Sequence, residues 1–188
     1  MNTEPLRCPW SLTDPLSMRY HDTEWGVPCH DDLHMFKMLV LEGKQAGLSW
    51  RGILRKMDTL CVAFDDFNPH KLITYDDAKV AELLKNPGII RNRLKVNAAI
   101  TNAKTYFALC DEFGSLDNYI WQFTDGKQVV NNWETQDQLP ATSLLSDKVS
   151  TDMKKRGFKF IGSTIIYSYL QAVGVINDHL VWCGFRNA

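Results

Sequence analysis

Apolar positions along most of this chain recur with the period of a helix rather than a strand. After Asp31 and Asp32, a pair suited to capping a helix start, Leu33, Phe36, Val40 and Leu41 fall near one face. After Ser49, the positions Trp50, Ile53, Leu54, Met57 and Leu60 follow an i, i+3, i+4, i+7 spacing, which predicts a second helix. A third begins around Thr74 and Asp76, carries Val80, Leu83 and Leu84, and stops at Asn86-Pro87-Gly88, because proline disfavours helix in the residue before it. A fourth is predicted from about Ile90 through Leu94, Ala98 and Ile100 to Phe107. Further helices are predicted at 115–123, 146–156 and 163–173, the last two ended by Gly157 and Gly174 as left-handed caps. Strand-type alternation is confined to KQVVNNW, residues 127–133, so the fold class expected is mainly α.

Composition narrows the setting. With 188 residues, 45% of them hydrophobic and 23% charged, the chain can bury one well-cored domain or two small lobes. No run approaches the ~20 apolar residues that span a bilayer, and MNTEPLRCPW lacks a basic and then apolar leader, so a cytoplasmic protein with no membrane partner is expected. The net charge of −1 provides no overall positive field, and any nucleic-acid contact must come from local patches. Cys8, Cys29, Cys61, Cys110 and Cys183 are scattered and odd in number, which points to reduced thiols, with some available to a metal, rather than disulfides.

Four local groupings carry possible chemistry. In DDAKVAELLKNPGIIRNRLKVNAAITNAKTY, a Pro-Gly turn joins two helices, and the second opens with Arg91, Arg93 and Lys95. A helix start offers unpaired N–H groups and a positive dipole end to a phosphate. At the chain ends, Cys8 and His21 could join His179 and Cys183, which stand at i, i+4, as a closed tetrahedral zinc site. On spacing alone they could equally be ordinary thiols with solvent-facing or capping histidines. Trp10, Tyr20, Trp25, Glu42 and Trp50 form an aromatic and acidic set suited to a flat cationic heterocycle. The competing reading makes the rings core residues and Glu42 solvated, although a carboxylate near a helix C-terminus opposes the dipole and needs some reason to be there. The run DMKKRGFKF, with Lys154, Lys155, Arg156 and Lys159, fits a solvated helix end, with phosphate contact as the alternative. His30, His34 and His70 suggest no role.

The segments RCPW, YHDTEWGVP, LEGKQAGLSW, PGIIRNRLKVNA and KKRGFKFIGSTIIYSYLQAVGVINDH, with Cys183, together resemble the 3-methyladenine DNA glycosylase I family of the helix-hairpin-helix superfamily. The resemblance covers almost the whole chain. It implies a two-lobed all-α glycosylase, with a helix-hairpin-helix lobe over roughly 50–140 and the other lobe built from both termini. It further implies one structural zinc joining the termini through Cys8, His21, His179 and Cys183, and a monofunctional hydrolase that releases 3-methyladenine from alkylated double-stranded DNA. Carried over by position, Glu42 binds the base and is the candidate catalytic residue, Tyr20 meets the base edge, and Trp10 and Trp50 are the stacking walls. Trp25 is a further pocket aromatic, and Leu48 a wedge into the DNA stack. Gly88, Ile90, Arg91, Arg93 and Lys95 are the expected DNA contacts of the hairpin.

The chain has no evident counterpart of the aspartate that many helix-hairpin-helix glycosylases place beyond the hairpin, and its hairpin has one glycine where the common form has two. No lysine is evidently placed for a Schiff base, so no strand nicking is expected. A monomer without an obligate protein partner is the default. The rival readings are a zinc-stapled helix-hairpin-helix protein that binds DNA or recognises alkylated bases without cutting them, and a hydrolytic zinc enzyme acting on a small molecule. A fully occupied four-ligand shell argues against the second.

Overall fold

The computed structural model describes residues 4–187. Among the described residues ten helices dominate: α1 (Pro15–Thr23), α2 (Asp32–Gln45), α3 (Trp50–Leu54), α4 (Met57–Ala63), α5 (Pro69–Leu72), α6 (Asp77–Lys85), α7 (Arg93–Phe113), α8 (Leu116–Trp121), α9 (Leu144–Arg156) and α10 (Ser163–Ala172). Short 3-10 turns intervene, and β1 (Val129–Val130) pairs in parallel with β2 (Ile176–Asn177). The mainly α expectation holds. The KQVVNNW segment does form the short extended element, where Val129 N–H donates to the Val175 carbonyl and Asn131 N–H to the Asn177 carbonyl.

Helix starts follow local chemistry. Asp31 caps α2 through the His34 N–H, so Asp32 is the first helical residue; Asp76 caps α6 and Ser49 caps α3. Gly157 (φ 103°) and Gly174 (φ 68°) adopt the left-handed conformation expected of them. At Gly174 there is a second reason for glycine: an added Cβ would lie 2.1 Å from the Val27 backbone. Three boundaries differ from expectation, one being the end of α7, which runs on to Phe113 rather than stopping at Phe107. The segment after Ser49 breaks into α3 and α4 at Arg55 and Lys56, and α7 begins at Arg93 rather than near Ile90, because Asn92 caps it by accepting the Lys95 N–H at 3.1 Å. Periodicity alone does not register either the break or the cap.

The central element is α2, whose Met35, Phe36, Met38, Leu39, Val40 and Leu41 are all buried. Each such side chain contributes roughly 1.5–3 kcal/mol of burial. Helix α10 packs against α2 and α9, whereas α7 packs against α2, α5, α6 and α8. Asp32 ties the second group together: it accepts from the Asp117 N–H at 2.8 Å and from the Tyr106 hydroxyl. The two chain ends meet, with Gly184 N–H donating to the Leu6 carbonyl at 2.9 Å. No helix among the described residues is long and apolar enough to cross a membrane.

Candidate active site

The last two turns of α2 and the first turn of α3 face a cavity of about 200 Å³ lined by Trp10, Tyr20, Trp25, Glu42, Gln45, Trp50, Leu139, Ser168 and Gln171. The five aromatic and acidic residues expected to converge do so. Trp10 stands edge-on to Trp25 at 5.0 Å between ring centroids, and Tyr20 lies against Trp50 at 5.2 Å. The turn between the helices passes through Gly47 (φ 74°), an easy conformation without a Cβ, and Ser49 caps α3 by accepting the Gly52 N–H.

Glu42 is only 2% exposed, which removes the solvated alternative. Burial pushes its carboxyl well above the usual carboxylate range, and its Oε2 has no hydrogen-bond partner among the described residues. The indole N–H of Trp50 is buried and unpartnered as well. One free acceptor and one free donor are therefore left in an aromatic cleft, an arrangement costly enough to point to a ligand. Tyr20 is also buried, and burial followed by the charges of Glu42 and Glu24 raises its phenol well above 10, so it remains a neutral hydroxyl.

Gln45, Leu139, Ser168 and Gln171 are absent from the sequence-derived set. Ser168 and Gln171 stand three apart in the apolar run of α10, an interruption that was the available signal. The Gln171 amide N–H donates to Asp178 Oδ2 at 2.6 Å. Asp178, fully buried, also accepts from Tyr167, Asn131 and Trp133. A second carboxylate is thus one hydrogen bond away from the cavity wall, and only contacts between distant elements reveal it.

Behind Trp25 lies the Cys/His cluster. One ligand atom each from Cys8, His21, His179 and Cys183 falls within 4.8 Å of the others, and all four residues are buried. His179 Nδ1 is 3.3 Å from the Cys183 sulfur and 3.8 Å from that of Cys8, and His21 Nε2 is 3.6 Å from Cys183. A tetrahedral zinc with Zn–N near 2.0 Å and Zn–S near 2.3 Å has edges of roughly 3.3–3.8 Å, and these three nitrogen–sulfur distances match it. The outer imidazole nitrogens are engaged, His21 Nδ1 with Asp22 at 2.8 Å and His179 Nε2 with the Trp25 carbonyl at 2.9 Å, which aims the inner nitrogens at the sulfurs. Burial pushes Cys8 up to about 12 and His179 down to about 4. The cluster also braces the cavity, since His179 meets Trp25 edge-on at 4.7 Å and His21 meets Trp10 at 5.5 Å.

The expected DNA-contact residues divide. Leu48 is 49% exposed on the α2–α3 turn, and Arg91 and Arg93 are exposed before and at the start of α7. Gly88 and Ile90 are partly buried in the turn from Asn86 to Asn92, where the Gly88 N–H donates to Asn86 Oδ1 and its carbonyl accepts from Thr59. Lys95 departs from the reading as a phosphate contact. Its side chain turns inward, 7% exposed, and its ammonium donates to the carbonyls of Lys44 and Ala46. In the basic run, Lys154, Lys155 and Arg156 stand in the last turn of α9, as the helix-end reading implies, and Arg156 is also held by Glu112 and Asp152.

Comparison with known proteins places this geometry. The family model described as methyladenine glycosylase matches residues 10–187. DNA-3-methyladenine glycosylase 1 of Escherichia coli is 41% identical over 177 residues, covering 94% of this chain and 95% of that one. A Staphylococcus aureus structure addressing 3-methyladenine recognition by 3-methyladenine DNA glycosylase I is 32% identical, with a TM-score of 0.93 and 97% of each chain covered. A variant 3-methyladenine DNA glycosylase I solved in complex with 3-methyladenine is 31% identical, with a TM-score of 0.93, covering 97% of this chain and 98% of that one. With nearly its whole length matched, the chain belongs to the methyladenine glycosylase family.

Proposed function

We propose that this protein is a monofunctional DNA-3-methyladenine glycosylase, which hydrolyses the N-glycosidic bond of 3-methyladenine in alkylated double-stranded DNA and leaves an abasic site. The observation carrying the reading is the buried, partnerless Glu42 carboxyl in an aromatic cavity. Methylation at N3 makes the base formally cationic. A cation is what both a buried carboxylate and aromatic faces favour. As the C1′–N9 bond breaks, its electron pair returns to the base, which departs neutral without protonation. Water then adds to the oxocarbenium-like sugar and loses a proton. The enzyme's task is extrusion, recognition and electrostatic support of the sugar cation.

In this reading Trp10 and Trp50 hold the base, Trp25 backs the pocket, and Glu42 and Tyr20 meet the base edge. Leu48 enters the stack, while Gly88, Ile90, Arg91 and Arg93 grip one strand from a helix-hairpin-helix lobe over roughly 50–140. The other lobe comprises both termini, and a structural zinc on Cys8, His21, His179 and Cys183 fastens it. Four protein ligands leave no open position for water, so such an ion supplies structure rather than a nucleophile. The protein acts as a cytoplasmic monomer.

The direct test is chromatography of free bases released from DNA treated with a methylating agent. Release of 3-methyladenine with 7-methylguanine retained supports the reading; no release by folded protein leaves a recognition module. Trp50→Ala should weaken binding of free 3-methyladenine about 5- to 100-fold, since stacking one base is worth roughly 1–3 kcal/mol; fluorescence titration checks this. Arg91→Ala and Arg93→Ala should each reduce the slope of log affinity against log salt by about 0.9 for duplex DNA. An unchanged slope would remove that arginine from the interface.

A further inference from the structure

Lys95 stands at a seam between two elements. Its backbone lies in the first turn of α7, directly after Arg91 and Arg93. Its ammonium reaches the other way, donating to the Lys44 carbonyl at 2.8 Å and the Ala46 carbonyl at 2.5 Å. Those carbonyls belong to the last turn and the cap of α2. A helix leaves its final C=O groups without intrahelical partners and carries its negative dipole end there, so a cation is the natural complement. Glu42 is two residues before the first of these carbonyls, and Trp50 is four residues after the second. Lys95 also lines a small cavity together with Val40, Gly43 and Phe160. Lys44 itself points elsewhere, its ammonium 3.8 Å above the Phe64 ring.

We propose that Lys95 is a positioning residue for base excision, holding the turn that carries Glu42 and Trp50 in register with the Arg91–Arg93 hairpin. The inference rests on the reading of the hairpin as a DNA grip and of the cavity as the base site. A free base needs only the cavity. A base still attached to its strand needs cavity and grip at a fixed separation, and a misplacement of ~1 Å can cost about 10²-fold in rate.

Lys95→Met keeps the apolar stem and removes the donor; Lys95→Arg keeps a cation of similar reach. Single-turnover release of 3-methyladenine from methylated duplex DNA and affinity for the free base are measured side by side, well below each variant's Tm. The methionine variant is expected to release base about 30- to 100-fold more slowly, with free-base affinity within about threefold of wild type. The arginine variant is expected to retain most of the rate. Equal losses in the two assays, an unchanged rate with methionine, or an arginine variant as slow as the methionine one would each overturn the assignment. Failure of the wild-type protein to release any base overturns the glycosylase reading itself, and is seen before any variant is compared.

Discussion

Glu42→Gln is expected to lower single-turnover release of 3-methyladenine by about 10²- to 10³-fold, the range found when one preorganised electrostatic group is removed from an active site. Free-base affinity should fall about 10- to 100-fold, since hydrogen bonds to charged groups contribute roughly 1.5–3 kcal/mol. The substitution keeps the shape of the side chain and removes only its ability to become an anion against a cationic base. The same change should stabilise the ligand-free protein. Burial raises the Glu42 carboxyl well above its ordinary 4.5, so the folded state holds this proton more tightly than the unfolded state. That contribution to stability is fully present below pH 4.5 and is lost as pH rises toward the folded-state value. The variant should therefore melt about 2–4 °C higher than wild type near pH 8, corresponding to roughly 1 kcal/mol, and match it at pH 4. A thermal-shift series across pH checks the sign. Unchanged binding and release would take Glu42 out of the mechanism.

Cys183→Ser should release the structural zinc proposed for the cluster and lower the Tm by about 6–20 °C, for a loss of roughly 3–5 kcal/mol, the cost of removing one partner of a buried charged pair. Cys183 lies within reach of both His21 and His179, so its loss removes a partner from each. Without a metal, the burial that holds Cys8 up at about 12 keeps its thiol neutral, and the cluster loses the thiolates that join the two chain ends. Because Trp25 and Trp10 rest against the two imidazoles, base affinity should weaken as well, while excision continues at a reduced rate. Metal content by atomic emission alongside the melting curve distinguishes the outcomes. One zinc per chain in the variant would show that these four residues are not its ligands.

Much of this protein was legible in the chain itself. Helix starts at Asp31, Ser49 and Asp76 and helix stops at Pro87, Gly157 and Gly174 are set by groups within a few residues, through capping hydrogen bonds and backbone sterics. Proximity of Glu42 to Trp50 follows from a short turn that any reading of the segment exposes. The long motifs added what spacing left open, namely that Cys8 and His21 belong with His179 and Cys183, more than 150 residues away, and the four do lie together.

Tertiary structure decided which way the side chains face. Lys95 sits in a basic run that suggests phosphate, yet it turns toward the carbonyl end of α2, because that end lies against α7 and needs a donor. Ser168 and Gln171 join the cavity, and the Asp178 carboxylate stands behind it, only because α10 packs across α2 and accepts from the Gly26 N–H at the Gln171 carbonyl. Glu42 keeps its unpartnered oxygen for the same reason. A local sequence fixes what a residue can donate or accept, whereas burial and the choice of partner depend on contacts between segments far apart in the chain, and those exist only once the helices have packed.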